Sequence, residues 1–178
     1  CRHTWLWTGL LAAPIFPIDK VTKIKATLEA VIYKATNTRS GHGIIPKNPL
    51  KSIIISDSII LWIKYDPTSN ADDVKSLRFL LHCVQQIQYE CALSDIWLRG
   101  GVSHGEVLTD DKNIFGKGYI SAYLLEQQAD FPRVIFDVDT MKLALPNRNP
   151  PEHIKDMNQT FGCSIYNGKF LFPFPQFL

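Results

Sequence analysis

Three short segments bring chemistry-bearing residue types close together. In Ile55-Ser56-Asp57-Ser58-Ile59, one carboxylate and two hydroxyls stand between β-branched runs. A carboxylate fixed at a hairpin tip is a rigid position for a divalent cation. Asp is also an ordinary turn residue, so this segment alone leaves both readings open. The second segment runs from Leu98 to Val107 and holds Arg99-Gly100-Gly101, His104 and Gly105. Glycine inside a strand marks close approach by a ligand or another backbone. Arg99 beside the glycines suits a phosphate or a carboxylate; a structural arginine at a bulge is the plainer alternative, and His104 reads as a packed or solvated histidine. The third segment, Phe115-Gly116-Lys117-Gly118, precedes a helical pattern. Free N–H groups and a lysine at a helix N-terminus suit phosphate, although a simple helix cap has the same composition. It is not a P-loop, because GxxxxGK[ST] is absent.

The elements that must position these residues follow from periodicity and punctuation. Thr4 to Ala13 is apolar and aromatic, a buried strand ended by Pro14 and Pro17. From Ile18 to Ala35, Val21, Ile24, Leu28, Val31 and Ile32 recur at helical spacing. Residues 36–49 form a Gly- and Pro-punctuated loop. Ser52 to Ile63 reads as a hairpin turning near Asp57. A second helix starts after residues 66–70, with Asp72 and Asp73 favoured by the dipole of its first turn and Leu77, Leu80, Leu81, Val84 and Ile87 as its buried stripe. Ile96 to Val102 is a strand, residues 110–113 a turn, Tyr119 to Ala129 a third helix, and Val134 to Phe136 another strand. The last forty residues are proline-rich and irregular, except for a hairpin over 161–172 turning at Asn167-Gly168. The order β-α-ββ-α-ββ-α-β with a β tail predicts an α+β domain, helices on one face of the sheet, with a core over 4–137 and a tail over 138–178 of a single 1–178 unit.

Composition limits the function classes. The 178-residue chain is 46% hydrophobic and 20% charged, which suits a globular core. A net charge of +2 gives no nucleic-acid footprint. The apolar stretch from Trp5 to Phe16 is interrupted by Thr8, Gly9 and Pro14 and is too short to span a bilayer. The four cysteines form no CxxC pair, and Cys83 and Cys91 fall about 12 Å apart along one predicted helix, beyond disulfide reach. Reduced, buried thiols in a cytoplasmic protein are the expectation.

Taken in order, the motifs resemble class III nucleotidyl cyclases, most closely the pyrimidine (Pycsar) cyclases of bacterial anti-phage signalling. The matching residues are Ser56-Asp57-Ser58, then Arg99-Gly100-Gly101-Val102 with Gly105, then Phe115-Gly116 with Ala122-Tyr123 and Leu125-Glu126, then Phe131-Pro132-Arg133-Val134. Tyr166-Asn167-Gly168-Lys169-Phe170 is also family-like. The resemblance implies a palm-like (ferredoxin-like) antiparallel sheet with helices packed on it. It implies a head-to-tail homodimer with composite sites, and Mn²⁺ or Mg²⁺ held by carboxylates, Asp57 among them. A nucleoside triphosphate, UTP or CTP, would become a 3′,5′-cyclic mononucleotide and pyrophosphate. On this reading Asp57 and Arg99 are catalytic, and Ile53, Ser56, Ser58, Asn113 and Lys117 are nucleotide-binding.

The departures from the family pattern are as informative. Aligning Gly9 with the family's strand-one glycine puts Leu6 where the first metal Asp stands, leaving Asp19, after Pro17, as the nearest carboxylate alternative. Ile53 and Asn113 replace the two base-selecting residues of purine cyclases, and Ile120 and Leu124 replace their transition-state Asn and Arg. A second reading follows from these losses: a catalytically inactive cyclase-like module that dimerises or binds nucleotide.

Overall fold

The computed structural model describes residues 2–11, 18–37, 46–55, 58–66, 68–110, 113–129, 132–136, 140, 164–166 and 169–172. In chain order the elements are β1 (Arg2–Leu11), α1 (Ile18–Asn37), β2 (Leu50–Ile55), β3 (Ser58–Lys64), α2 (Asn70–Leu93), β4 (Leu98–Thr109), β5 (Ile114–Phe115), α3 (Lys117–Gln127), β6 (Val134–Phe136), β7 (Ser164–Tyr166) and β8 (Lys169–Phe172). The sheet order is β2-β3-β1-β4-β6-β8-β7, with β5 paired to β4. β4 and β6 run parallel; the other pairs are antiparallel. An α+β fold with helices packed on a sheet is the architecture expected from the sequence; the parallel β4–β6 pair, which the crossover through α3 produces, departs from the antiparallel sheet expected.

The helices form where the predicted stripes lie. Leu77, Leu80, Leu81, Val84 and Ile87 of α2 are buried, together with Leu28, Val31 and Ile32 of α1. Ser69 caps α2 in an extended conformation, its hydroxyl accepting the Asp72 N–H at 3.4 Å. Lys34 of α1 pairs with Glu90 of α2 and ties the two helices together at the surface. Cys83 and Cys91 are buried free thiols, as expected; Cys1 and Cys163 lie outside the described residues.

The end of β4, the start of α3 and the layering of the helices differ from the sequence reading. β4 does not stop at Val102 but continues through His104 and Gly105 to Thr109, because its length is set by pairing with all ten residues of β1. α3 starts at Lys117, two residues before Tyr119, because Gly116 at φ 132° adopts a backbone conformation that lets the chain turn into the helix without a side-chain cap. The helices also occupy both faces of the sheet rather than one. Adjacent residues of a strand point to opposite sides. Trp7 belongs to the core under α1 and α2, whereas Leu6 packs with Ile60, Trp62, Val107, Ile114 and Ala122 under α3. Likewise Val134 and Phe136 face the α1/α2 core, while Ile135 meets Leu125 and Ala129.

Candidate functional site

The strand register puts one row of residues across the sheet. Leu10 of β1 pairs with Ser58 of β3 on one side and with Arg99 of β4 on the other. At about 4.8 Å per strand, Ser58 and Arg99 stand roughly 10 Å apart along this row. Ser58 is also the last partner of Ile55 in the β2–β3 ladder. Ser56 and Asp57 connect these two paired ends in the sequence and lie outside the described residues, so the nucleotide and metal roles expected of them stay attached to this end of the sheet by connectivity alone.

The glycines beside Arg99 have packing reasons. Gly9 and Gly100 are register partners. A Cβ at Gly9 would stand 2.4 Å from the Trp7 indole, and one at Gly100 only 2.2 Å from Trp7 Nε1. The ring of Trp7 therefore lies across the two glycines on the α1/α2 side. Gly101 faces the other way, where a Cβ would come within 2.2 Å of the Ala122 carbonyl oxygen and 2.7 Å of the Glu126 nitrogen. Of the two causes the sequence left open, a ligand or a backbone, the close approach at Gly101 is made by the backbone of α3. Ser103, two residues on, donates its hydroxyl proton to the Gly118 carbonyl at 2.5 Å and fixes the other end of that helix.

Arg99 meets a buried carboxylate. Its Nε stands 3.2 Å from Glu126 Oε1, and the two side chains are 27% and 3% exposed. The Nε–H does not meet hydrogen-bond geometry in this pair, so the contact is an ion pair held by charge. Arg133 is adjacent: its carbonyl oxygen accepts the Gly100 N–H at 2.9 Å, and Gly100 is in register with Val134. Sequence reasoning noted Glu126 and Arg133 as family-like without giving either a role. The signal for Glu126 was available: it lies one turn from Ala122 and three residues before Ala129, on the apolar stripe of α3, where a carboxylate needs a partner.

The remaining predicted residues are elsewhere. Ile53 pairs with Ile60 and packs, half-buried, against the cluster that contains Ile114. Asn113, exposed and next to Ile114, is held by Asp110: its N–H donates to Asp110 Oδ1 at 2.7 Å, and its Nδ2 donates to Oδ1 and Oδ2 at 3.1 and 3.0 Å. The two expected base-reading positions thus border one apolar cluster. Lys117 opens α3 at the end near Gly105, nine residues from Glu126 and so about 13 Å away along the helix from the Arg99 end.

The strand-one position also changes. Leu6 pairs with Trp62 and Ser103 and is fully buried among apolar side chains. It lies four residues from Leu10, about 13 Å along the strand from the hairpin end. Leu10, not Leu6, is the β1 residue level with Ser58. No residue of β1 carries a carboxylate. Asp19 lies in the first turn of α1, the element that follows β1. Among the described residues no cluster of three or more His, Cys, Asp or Glu could hold a metal ion, and no helix is long and apolar enough to cross a membrane.

No protein-family model matches the sequence, and no curated protein matches it. Solved structures do. The monomeric guanylyl cyclase domain of the RhoGC fusion protein from the aquatic fungus Blastocladiella emersonii is similar with a TM-score of 0.61 at 9% identity, over 96% of this chain and 93% of that one. The adenylyl cyclase CyaB from P. aeruginosa gives 0.54 at 10% identity, over 82% of each chain. The guanylyl cyclase Cya2 gives 0.54 at 13% identity, over 80% of this chain and 78% of that one. The fold is that of class III nucleotidyl cyclase domains.

Proposed function

We propose that this chain is a nucleotidyl cyclase domain that takes a pyrimidine nucleoside triphosphate, UTP or CTP, to its 3′,5′-cyclic monophosphate and pyrophosphate, in the anti-phage signalling role that its motifs resemble. The observation that carries the reading is the row Ser58–Leu10–Arg99, which sets a cationic side chain beside the strand ends that Ser56 and Asp57 connect. Arg99 suits triphosphate oxygens, which a guanidinium binds in a fork. The divalent ion, Mn²⁺ or Mg²⁺, would be held by Asp57 together with the nucleotide's own phosphate oxygens; Mg²⁺ sites commonly combine one or two protein carboxylates with substrate phosphates. Asp19 is the carboxylate proposed as a second ligand.

The pyrimidine assignment rests on Ile53 and Asn113. With its amide protons directed to Asp110, Asn113 has its Oδ1 left to accept from N3–H of uracil or the amino group of cytosine. Ile53 gives a purine no polar partner. The family resemblance implies that a second copy of the chain completes the site. Incubation with each of the four nucleoside triphosphates and Mn²⁺, followed by chromatography, tests this: cyclic UMP or cyclic CMP is expected, and cyclic AMP or cyclic GMP as the main product would overturn the base assignment.

A second reading has its own support. With no carboxylate on β1, and with Ile120 and Leu124 on the outer side of α3 where purine cyclases keep Asn and Arg, a nucleotide-binding or dimerising module without turnover is the alternative. Nucleotide binding with no product from any of the four substrates would establish it.

A further inference from the structure

Glu126 is a buried carboxylate on the apolar stripe of α3. It is 2% exposed and sits in the last turn of α3, where the helix dipole disfavours an anion. An apolar residue of similar size would serve packing against Ala122, Leu125 and Ala129 as well or better, because burying an ion pair costs desolvation that Coulomb attraction rarely exceeds. Its ion-pair partner is Arg99, whose Nε faces it at 3.2 Å while the side chain as a whole remains 27% exposed. The approach depends on Gly101: any Cβ there would strike the α3 backbone at Ala122 and Glu126. Two features of the chain, the missing side chain at 101 and the carboxylate at 126, are thus needed for one arrangement, a guanidinium held by charge with its inner nitrogen toward a buried carboxylate.

We propose that Glu126 is a positioning residue: its buried carboxylate holds the inner nitrogen of Arg99, so that the outer edge of the guanidinium is presented at the hairpin end of the sheet as an anchor for the phosphate chain of the substrate. This rests on the reading of the fold as a triphosphate-binding cyclase domain. An arginine left to rotate would bind the same oxygens but lose side-chain freedom on doing so. Glu126 acts before the ligand arrives, by restricting Arg99 to one orientation, and also holds α3 against β4 at that level. Arg133, which immediately precedes β6 and whose carbonyl accepts the Gly100 N–H, is a second arginine next to this end of β4.

The test is equilibrium titration of the full chain with inorganic tripolyphosphate, and separately with uridine, which has no phosphate. Glu126→Gln keeps the size and removes the charge; it should weaken tripolyphosphate binding roughly five- to thirtyfold and leave uridine binding unchanged. In an Arg99→Met background the same Glu126→Gln change should produce no further loss, which a purely structural residue would not show. Arg99→Met with Glu126→Leu replaces the pair by apolar side chains, so that variant should fold with undiminished melting temperature yet bind tripolyphosphate weakly. Tripolyphosphate binding unaffected by Glu126→Gln, or reduced equally with and without Arg99, overturns the positioning role while leaving the cyclase reading intact. A wild-type chain that binds uridine but no tripolyphosphate overturns the positioning role and the Arg99 anchor together, and one that binds neither overturns the cyclase reading as well.

Discussion

Trp7 occupies the space that Gly100 leaves on the neighbouring strand: a Cβ at Gly100 would stand 2.2 Å from Trp7 Nε1 and 2.5 Å from the Thr8 carbonyl oxygen. The indole is fully buried and part of the core under α1 and α2. Gly100→Ala forces a large ring to move within a close-packed interior, which costs about 1–3 kcal/mol. In a chain of this length that is a fall in melting temperature of roughly 2–4 °C per kcal/mol. Trp7→Phe removes part of the ring over the glycines, so calorimetry should show the Gly100→Ala penalty to be smaller in a Trp7→Phe background. Equal penalties in both backgrounds would place the strain elsewhere.

The buried thiols give a pH signature. Burial pushes Cys83 and Cys91 up to about 12 from 9.0. It also pushes Tyr65 up to about 12 from 10.0, with Asp73 adding to the shift. In each case the folded state retains a proton that the unfolded chain gives up earlier. Stability from these groups is therefore fully present below about pH 9 and is lost as pH rises from about 9 through 12. Denaturant midpoints should be flat from pH 7 to 8.5 and fall above pH 9. At pH 8 a thiol reagent should leave Cys83 and Cys91 unmodified in the native protein, as peptide mapping would report, and label both in urea. Rapid native labelling of either would contradict their burial.

Much of the fold was legible because its elements carry strong local signals. The α2 stripe from Leu77 to Ile87 repeats at helical spacing and is buried as read, and the β2–β3 ladder ends at Ile55 and Ser58 as the β-branched runs imply. The sequence was silent where the cause is tertiary. Nothing local tells that β4 continues past Gly105, because the pairing of that stretch with Arg2 to Thr4 is decided across the sheet. The glycines of Arg99-Gly100-Gly101 were legible as close approaches, but which neighbour approaches on which face was not: Trp7 comes from a residue ninety-three positions earlier and α3 from the other side. For the site, residue types at Asp57 and Arg99 were readable, whereas the placement of Leu6 was not. Counting back from a glycine gave a position that the register shows to be about four residues from the hairpin end.

Asp57 separates a metal-binding carboxylate from a turn residue. Asp57→Asn preserves size and turn propensity and removes the charge that a divalent ion needs. Turnover with Mn²⁺ should fall below detection while the melting temperature shifts by no more than a degree or two. Thermal melting in EDTA and in Mn²⁺ with nucleotide adds a second readout, since ligand-linked stabilisation should be present in the wild type and missing in the variant. A variant that loses its fold and its activity together would favour the plain turn role.

The outer surface of α3 offers the last test. Ile120, Tyr123 and Leu124 are spaced i, i+3 and i+4 on one side of the helix, and are 56%, 47% and 54% exposed. Leu108 and Phe115, paired across β4 and β5, are exposed as well. Single apolar residues at a surface are ordinary, but a stripe of this kind on one helix has the composition of an interface core. Under the proposed cyclase function, Ile120 and Leu124 stand at the positions where purine cyclases keep Asn and Arg, and their exposed apolar side chains suit association with a second copy. A symmetric dimer uses one patch twice, so one charged substitution enters the interface two times and like charges are brought together. Ile120→Glu with Leu124→Glu should therefore convert a dimer at micromolar concentration into a monomer in sedimentation velocity. Its melting temperature should be close to that of wild-type monomer, because both side chains are already in solvent. Wild-type protein that sediments as a monomer with and without nucleotide would remove the dimer, and a double variant that remains dimeric would move the interface off α3.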